Sequence, residues 1–506
     1  MNATKNIVAN LSGRIWSAVM NFAFVPIYIH VLGIEAYGLI GFFVSLLAIF
    51  LFLDMGLSTA INREMARSGA GPDTVGQART LMRTLETVYW GVGLAMGLAI
   101  ILLAPTIGRE WLHPHGISTE ATITAVRLMG VVAILRWPVA LYTGALMGLN
   151  RQVNLNIVTS IYATVQAGGA ALIIYGVSPT VNAFFLWQVF AAALQIFFLI
   201  RLTWRSLAAD EPGAVFSVRM LRGVLAFSAG VTGITILSIV LTQLDKFLLS
   251  SLLPLTQFGY YALAGAIAGT LNIAAISING AMFPIFSRLV EARQLDELRA
   301  LYHRSAQLLS LIVMPAGLTL AFFSPELLAA YVGDPVIVEK THLLLSYLVI
   351  GNVLLSVMVL PLALQLAYGW TSLSLVKNIV AVVIFAPMLL IFVQYYGAVG
   401  AGMAWIVLTI GYVLFEIPIM HRRLLKHEMW HWYLIDVGIP AIISVVVLGL
   451  AWAIIPRDMS LLITLAAIAL AGAFAAALSA ALLPESRRWI LALAGLTHRA
   501  DRGVAQ

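Results

Sequence analysis

The chain has 506 residues, of which 61% are hydrophobic and only 10% are charged. A soluble protein carries about 25% charged residues, so this composition excludes a water-soluble globular protein and predicts a membrane protein. The absence of cysteine excludes disulfides, thiol catalysis and cysteine metal sites, and the net charge of +7 raises the question of a nucleic-acid partner.

Apolar stretches recur along the whole chain, and each is long enough, at about 20 residues, to cross a bilayer as a helix. Helices are favoured because lipid offers no partner for free backbone groups, and the stretches are too long for barrel strands. The first stretch continues to about Leu32, which predicts a retained span and not a signal peptide. We predict an all-α polytopic membrane protein with about fourteen transmembrane helices, at 7–32, 37–61, 85–107, 122–148, 154–176, 182–202, 224–253, 260–284, 305–330, 342–366, 373–396, 398–420, 433–455 and 460–483.

The positive charges are distributed unequally between the two predicted faces. The face that holds the N-terminus has 22 of the 29 Lys and Arg, and the other face has three, at Arg109, Lys340 and Arg457. Loops on the cytoplasmic side carry an excess of Lys and Arg, and an even number of spans places both termini on one side. The sequence therefore predicts cytoplasmic termini, and the net charge is interpreted as a topology signal and not as a nucleic-acid surface.

Two short similarities predict an internal repeat. LGIEAYGL (32–39) resembles LPLTQFGY (253–260), and WPVALYTGALMG (137–148) resembles LPLALQLAYGW (360–370), at offsets of 221 and 223. Six spans separate each pair, so we expect two pseudo-symmetric six-helix lobes around a central cavity, plus two C-terminal helices. The predicted segments are an N-terminal lobe at 1–202, a cytoplasmic linker at 203–223, a C-terminal lobe at 224–420, spans 13 and 14 at 433–483 and a cytoplasmic tail at 484–506.

Prolines and charges inside the spans are the exceptions to this apolar pattern. Mid-span prolines are expected to kink their helices, and they lie at Pro26, Pro138, Pro284, Pro315, Pro361, Pro387 and Pro418. A buried charge costs about 2.5–3.5 kcal/mol on insertion scales, so charged residues inside spans usually face a bundle interior or a wet cavity. The cations of this kind are Arg14, Arg127, Arg136 and Lys246, and the anions are Asp54, Asp245 and Glu416.

Several segments together resemble the polysaccharide-transport branch of the flippase superfamily that also includes multidrug cation antiporters and the lipid II flippase. They are PIYIHVLGIEAYGL, LDMGLSTAINREMAR, GLNRQVNLN, LDKFLLSSLLPLTQFGYYALA, FPIFSRLVEARQLDELRALYHRS and YYGAVGAGMAW, and they cover roughly 1–420. The resemblance implies alternating-access transport of a lipid-linked oligosaccharide to the outer leaflet of the bacterial inner membrane, for surface or extracellular polysaccharide. It implies no catalytic residues, no cofactor and no metal, with the lipid-linked sugar as substrate and glycosyltransferases and a polymerase as candidate partners.

A phosphate or pyrophosphate head group would need cations in the cavity, and Arg pairs with phosphate oxygens in a bidentate manner. Arg136 lies deep in span 4 and is favoured as a cavity residue over a structural pair with Asp54 or Asp245. Lys246 is also assigned to the cavity, through the resemblance, and the alternative is a local ion pair with Asp245 that only anchors spans 7 and 8. Two interpretations stay open for Arg14, which are a place in the cavity and snorkelling to the head groups. For Arg127 the interfacial interpretation is favoured.

The anions and amides complete the set of candidates. Two interpretations stay open for Asp54, which are ion coupling and structural pairing. Glu416 is expected at the membrane interface near the end of span 12. Asp245 and Lys246 are neighbours that point about 100° apart on a helix, so each is expected to need its own partner. The candidates for sugar contacts are Asn21, Asn62 and Gln243.

Three other functions compete with transport of a lipid-linked sugar. Cation-coupled drug efflux fits the same fold, but several cavity cations argue against a cationic substrate. HEMWH at 427–431 matches the zinc-protease pattern, yet it lies in a short loop and its tryptophans indicate an interfacial belt. A structural scaffold would leave Arg136 unexplained.

Overall fold

The structure is a computed structural model and describes residues 3–50, 54, 56–67, 72–207, 214–456 and 459–484. The tail beyond residue 484 and residues 208–213 of the predicted linker lie outside the described residues. The chain divides into two compact units, Met1–Gly259 and Tyr260–Gln506. The predicted lobe boundaries and the central cavity stay predictions.

The first unit is built from helices and their connecting turns. A π-helical turn at Ile107–Trp111 extends the fifth helix. The helices are α1 (Ala3–Ala23), α2 (Val25–Leu32), α3 (Ile34–Phe50), α4 (Leu57–Arg67), α5 (Pro72–Thr106), α6 (Thr119–Arg136), α7 (Val139–Gly148), α8 (Gln152–Gly176), α9 (Val181–Ser206) and α10 (Val218–Leu252).

The next helix, α11 (Leu255–Gly269), begins in the first unit and continues into the second. The rest of the second unit is also helical, with a π-helical segment at Trp432–Gly438. Its helices are α12 (Asn272–Glu291), α13 (Leu295–Phe322), α14 (Ser324–Val332), α15 (Pro335–Val357), α16 (Val359–Ala367), α17 (Thr371–Arg423), α18 (Met429–His431), α19 (Ile439–Ile454) and α20 (Leu461–Leu482).

The all-α multi-pass prediction is confirmed. Eleven helical segments among the described residues are long and apolar enough to cross a membrane, and Ile34–Phe50 is a shorter apolar helix. The 53-residue helix α17 is interrupted at Gly397, where φ is 57° and ψ is −141°, so its two arms can run in different directions. The count of fourteen spans stays a prediction.

Only some of the span prolines break a helix. Pro26 follows the break at Phe24 between α1 and α2, Pro138 lies at the break between α6 and α7, and Pro361 follows the break at Met358. These positions fit the missing N–H of proline and its clash with the preceding turn. The remaining prolines lie inside continuous helices, and kinks at these positions stay predictions: Pro284, Pro315, Pro387 and Pro418.

The second predicted sequence similarity is also a similarity of local structure. Helix α7 ends at a turn in which Asn150 has a φ of 55°, and helix α16 ends at a turn in which Gly369 has a φ of 68°. The N–H of Arg151 donates to the carbonyl of Leu146 at 2.9 Å, and the N–H of Trp370 donates to the carbonyl of Gln365 at 2.9 Å. Both turns therefore have the six-to-one hydrogen bond of a Schellman cap.

Candidate functional site

Helix α4 is amphipathic, and its apolar face fixes its place in the first unit. Its apolar side chains are buried, and its charged side chains lie on the opposite face. The face packs against α7, where Gly144 and Gly148 form a small-residue pair four positions apart. A Cβ at Gly144 would lie 2.4 Å from the carbonyl oxygen of Ser58, and one at Gly148 would lie 2.3 Å from that of Asn62. Only glycine permits this close backbone approach.

Asp54 stabilises the start of α4. Its Oδ2 accepts hydrogen bonds from the Ser58 hydroxyl at 2.7 Å and from the Ser58 N–H at 3.4 Å. The hydroxyl of Tyr89, on α5, donates to the other carboxylate oxygen. A carboxylate at a helix N-terminus also interacts favourably with the helix dipole. These contacts fit structural pairing, one of the two interpretations predicted for Asp54.

An open cavity of about 330 Å³ lies beside the charged face of α4. We call it the basic cavity, and its lining residues are Ala60, Arg63, Glu64 and Arg67 from α4, Gln77, Ala78 and Leu81 from α5, and Met220, Gly223 and Val224 from α10.

The cations of the basic cavity share one carboxylate. Arg63 Nε lies 3.2 Å and Arg67 Nη1 lies 3.3 Å from Glu64 Oε1. Both Arg side chains stay substantially exposed at the cavity. Two guanidinium groups and one carboxylate leave a net charge of +1, which favours an anion.

A buried acidic network anchors α5 to its neighbours. Glu86 is 6% exposed and accepts a hydrogen bond from the Tyr142 hydroxyl at 2.5 Å and one from Trp204 Nε1 at 3.2 Å. Arg83 Nη1 lies 2.9 Å from the second oxygen of Glu86. Both oxygens of the Glu86 carboxylate thus have partners. These contacts hold α5, α7 and α9 together, so the role of Glu86 is structural.

The three predicted arginines occupy separate places. The guanidinium of Arg136 lies 5.3 Å from the ring centroid of Tyr162, which gives a cation–π contact between α6 and α8. Arg136 is partly exposed, and its observed contact is with Tyr162, so its cavity role stays a prediction. Arg14 and Arg127 are both exposed on the first unit.

The contacts of Asp245 and Lys246 fit the alternative of a local ion pair. The amine of Lys246 lies 3.3 Å from Asp245 Oδ1 and donates to the carbonyl oxygen of Thr242 at 2.9 Å. The Cα–Cβ bonds of neighbours diverge, but the four-carbon stem of lysine is long enough to return to the adjacent carboxylate. Asp245 is 6% exposed, whereas the side chain of Lys246 is 33% exposed.

Glu416 is a buried carboxylate, and its place at the membrane interface stays a prediction. It is 3% exposed, and its Oε2 lies 3.0 Å from the amine of Lys377 at the other arm of α17. Gln365, on α16, donates to Glu416 Oε1 at 2.8 Å. The sequence places Lys377 among the 22 cations of the face that holds the N-terminus, and the structure makes it the partner of Glu416.

The amides proposed as sugar contacts are dispersed. Asn21 is exposed and donates to the carbonyl of Ser17 on its own helix at 2.8 Å. Asn62 and Gln243 are partly exposed on α4 and α10. Among the predicted site residues that the structure describes, Asp245 and Lys246 are the two that it brings into direct contact.

The HEMWH segment does not form the helical pair of a zinc protease. His427 has a φ of 73° and is exposed before α18 begins, whereas His431 ends that helix. The two imidazoles therefore do not lie one turn apart on a common helical face, as that motif requires.

The comparison with known families identifies the chain. A family model described as "Polysaccharide biosynthesis protein" matches residues 30–335, which is more than half of the sequence. The chain belongs to this family. The resemblance predicted from the sequence is thereby confirmed, and the match includes the basic cavity and helices α3 to α10.

Relatives of this polysaccharide biosynthesis family member are divergent in sequence. A Shigella flexneri protein provisionally named an O-antigen transporter is 22% identical over 405 residues, which cover 80% of this chain and 94% of the relative. The solved structure "Lipid II flippase MurJ, inward closed conformation" aligns with a TM-score of 0.70 at 14% identity, over 96% of this chain and all of that one. An inward-facing MATE multidrug transporter aligns with a TM-score of 0.64 at 16% identity, over 80% of this chain and 95% of that one. These structures show a shared fold.

The sequence interpretation missed the cations of the basic cavity. Arg63 and Arg67 were counted as topology charges in a loop between spans, whereas they lie on α4. A signal was present, because Leu57, Ile61 and Met65 recur at helical spacing while the charges lie between them. That amphipathic pattern could have predicted a charged helical face.

Proposed function

We propose that this family member flips a lipid-linked oligosaccharide from the cytoplasmic to the outer leaflet of the bacterial inner membrane. The observation that carries the proposal is the family match over residues 30–335. Transport proceeds by alternating access and makes or breaks no covalent bond. The fold shared with a lipid flippase supports a mechanism in which packed helical groups move relative to one another.

The basic cavity is proposed to bind the phosphate or pyrophosphate of the substrate. Arg63 and Arg67 offer guanidinium forks, and such forks match phosphate oxygens with two parallel hydrogen bonds. Glu64 holds the two forks in place before the substrate arrives. The cavity of about 330 Å³ is large enough for a phosphorylated head and not for a whole oligosaccharide.

The arginines deeper in the spans then serve later stages of the passage. Arg136 is held at Tyr162, Arg14 and Arg127 are exposed, and each can balance an anionic head within the membrane. Lys246 contributes less positive charge than its sequence suggested, because Asp245 neutralises it. Glycosyltransferases that build the substrate and a polymerase that consumes it are the proposed partners.

Reconstitution tests this function directly. The purified protein is placed in vesicles that contain a fluorescent lipid-linked oligosaccharide, and the fraction of sugar that reaches the opposite leaflet is followed with a membrane-impermeant reagent. Wild type is expected to move the substrate. The double variant Arg63→Gln with Arg67→Gln is expected to weaken its apparent affinity about 10²–10⁴-fold, because each of the two lost charge-assisted hydrogen bonds is worth about 1.5–3 kcal/mol.

A matched control separates the cavity from general surface charge. Arg109 is exposed and lies 3.5 Å from Glu120 in a weak surface pair, so Arg109→Gln should leave transport unchanged. If the wild type moved an organic cation but no lipid-linked sugar, drug efflux would replace the proposal. Equal transport by the double variant and the wild type would remove the basic cavity from it.

A further inference from the structure

A cluster of two imidazoles and two carboxylates lies in the second unit, apart from the residues assigned to transport. It includes His303 on α13, His431 at the end of α18 and Asp436 in the π-helical segment Trp432–Gly438. One ligand atom from each of these residues lies within 4.8 Å of the other two. Glu428 lies at the edge of the cluster and pairs with Arg299 at 3.0 Å.

The centre of the cluster is the carboxylate of Asp436. It has no exposed surface, and its Oδ2 lies 2.5 Å from His303 Nδ1. Gln307 donates to the other oxygen at 2.9 Å, and His431 Nε2 lies 3.6 Å from that oxygen. A buried carboxylate requires a positive partner, and the groups that face it here are imidazoles, which are neutral when they bind metals.

His303 presents a second, unused nitrogen. Its side chain is 9% exposed, and its Nε2 is buried and makes no hydrogen bond with a described residue, although Glu428 Oε2 lies 3.3 Å away. A buried polar atom without a hydrogen bond is costly and indicates a missing partner. The rings of His303 and His431 lie 4.3 Å apart between centroids, so both imidazoles face the same small space.

The spacing fits a metal ion. Two ligands that each lie about 2.0–2.2 Å from one tetrahedral zinc are separated by roughly 3.3–3.6 Å. The separation of His431 Nε2 from Asp436 Oδ1 is 3.6 Å, and that of His303 Nε2 from Glu428 Oε2 is 3.3 Å. The π-helical segment displaces Asp436 from ordinary α-helical register, and such bulges are frequent at functional sites.

We propose that His303, His431 and Asp436 bind a zinc ion, with water or Glu428 as the fourth ligand. Two imidazoles and a carboxylate are a donor set that zinc accepts well. Zinc would bind His303 through Nε2 and Asp436 through Oδ1, so the hydrogen bond between His303 Nδ1 and Asp436 Oδ2 is kept, and the ion neutralises the buried carboxylate. The ion links α13 to the segment 429–438, and the proposal holds whether or not the substrate is a lipid-linked sugar.

The site differs from the one that the HEMWH pattern suggests. A zinc protease would use both His427 and His431 as ligands and Glu428 as a general base. Here His427 is exposed outside the cluster, and His303 from a distant part of the sequence takes its place. The proposed ion is therefore structural, and no peptide cleavage is expected.

Zinc affinity of the full chain tests the proposal. The protein is purified in detergent with a tag that lacks histidine, stripped with EDTA and titrated with zinc chloride against a chromogenic zinc chelator. Wild type and His427→Asn are expected to bind one zinc per chain. His431→Asn is expected to weaken zinc binding at least about tenfold, because the loss of a residue that supports a metal site typically lowers the affinity by that much. His431 is 38% exposed, so its substitution leaves the core intact.

Thermal unfolding gives a second readout that does not require transport. At one zinc concentration, zinc should raise the Tm of the wild type and of His427→Asn more than that of His431→Asn or Asp436→Asn. The proposal is overturned if the wild type binds no zinc at tens of micromolar, or if His431→Asn binds as tightly as the wild type. An equal loss of affinity in His427→Asn would also overturn it, since that result assigns the ion to the HEMWH motif.

Discussion

Buried ion pairs explain how single charged residues are tolerated in this apolar protein. Glu416 and Lys377 are separated by 39 positions, and both side chains are largely buried. The Lys377 amine also lies 4.8 Å from the ring centroid of Tyr412, so it has two favourable contacts. Glu416 in turn receives a hydrogen bond from Gln365. The pair is expected to matter for folding more than for substrate binding.

Removing one partner of this pair should destabilise the protein strongly. Lys377→Met leaves the Glu416 carboxylate buried without its cation, and such a change typically costs about 3–5 kcal/mol. The double variant Lys377→Met with Glu416→Gln should recover most of that loss, because no charge remains to be compensated. Thermal unfolding in detergent measures both effects. A single variant as stable as the wild type would contradict this account, as would a double variant no better than the single one.

At the scale of elements, close backbone contact positions the charged face of α4. Gly148→Ala would place a methyl group 2.3 Å from the carbonyl oxygen of Asn62, so α4 and α7 would have to separate. Overpacking of this kind typically costs about 1–3 kcal/mol. Gly91 on α5 is the matched control, because a Cβ there meets nothing within 4 Å. Gly91→Ala should stabilise its helix by about 0.5–1 kcal/mol.

The two substitutions are compared by the Tm of the purified variants. Gly148→Ala should lower the Tm and Gly91→Ala should raise it slightly. If the two variants moved the Tm in the same direction, the contact between α4 and α7 would not be the reason for glycine at position 148.

Helices were predictable from the sequence because hydropathy reports them directly, whereas contacts between helices were not. Apolar runs predicted segments such as 154–176 and 460–483, and the structure has helices at Gln152–Gly176 and Leu461–Leu482. The partners of buried charges are distant in sequence, as for His303 and Asp436, which are 133 positions apart. Periodicity within one helix carries no information about such partners. The local pair of Lys246 with Asp245 depends on the reach of the lysine side chain, which helical geometry alone does not describe.

At the scale of the whole molecule, the distribution of positive charge predicts which loops face the cytoplasm. The loop with Lys340 belongs to the face that holds three cations, and the loop with Lys426 belongs to the face that holds 22 of the 29. Cytoplasmic loops are enriched in Lys and Arg because positively charged segments are poorly translocated. Both lysines are exposed, so a substituted side chain at either position is open to a reagent in solution.

The absence of cysteine from the natural sequence makes this topology testable with single substitutions. In intact cells whose outer membrane has been permeabilised, a membrane-impermeant maleimide should label Lys340→Cys and not Lys426→Cys. Lysis should expose Lys426→Cys to the same reagent, which controls for its reactivity. Labelling of Lys426→Cys but not Lys340→Cys in intact cells would show that the predicted orientation is inverted. The basic cavity would then lie on the outer side of the membrane, which contradicts the proposed direction of transport. The sequence predicts an odd number of spans between Lys340 and Lys426, which places them on opposite sides of the membrane. Labelling of both positions in intact cells would place them on the same side, and the span assignment between them would have to change.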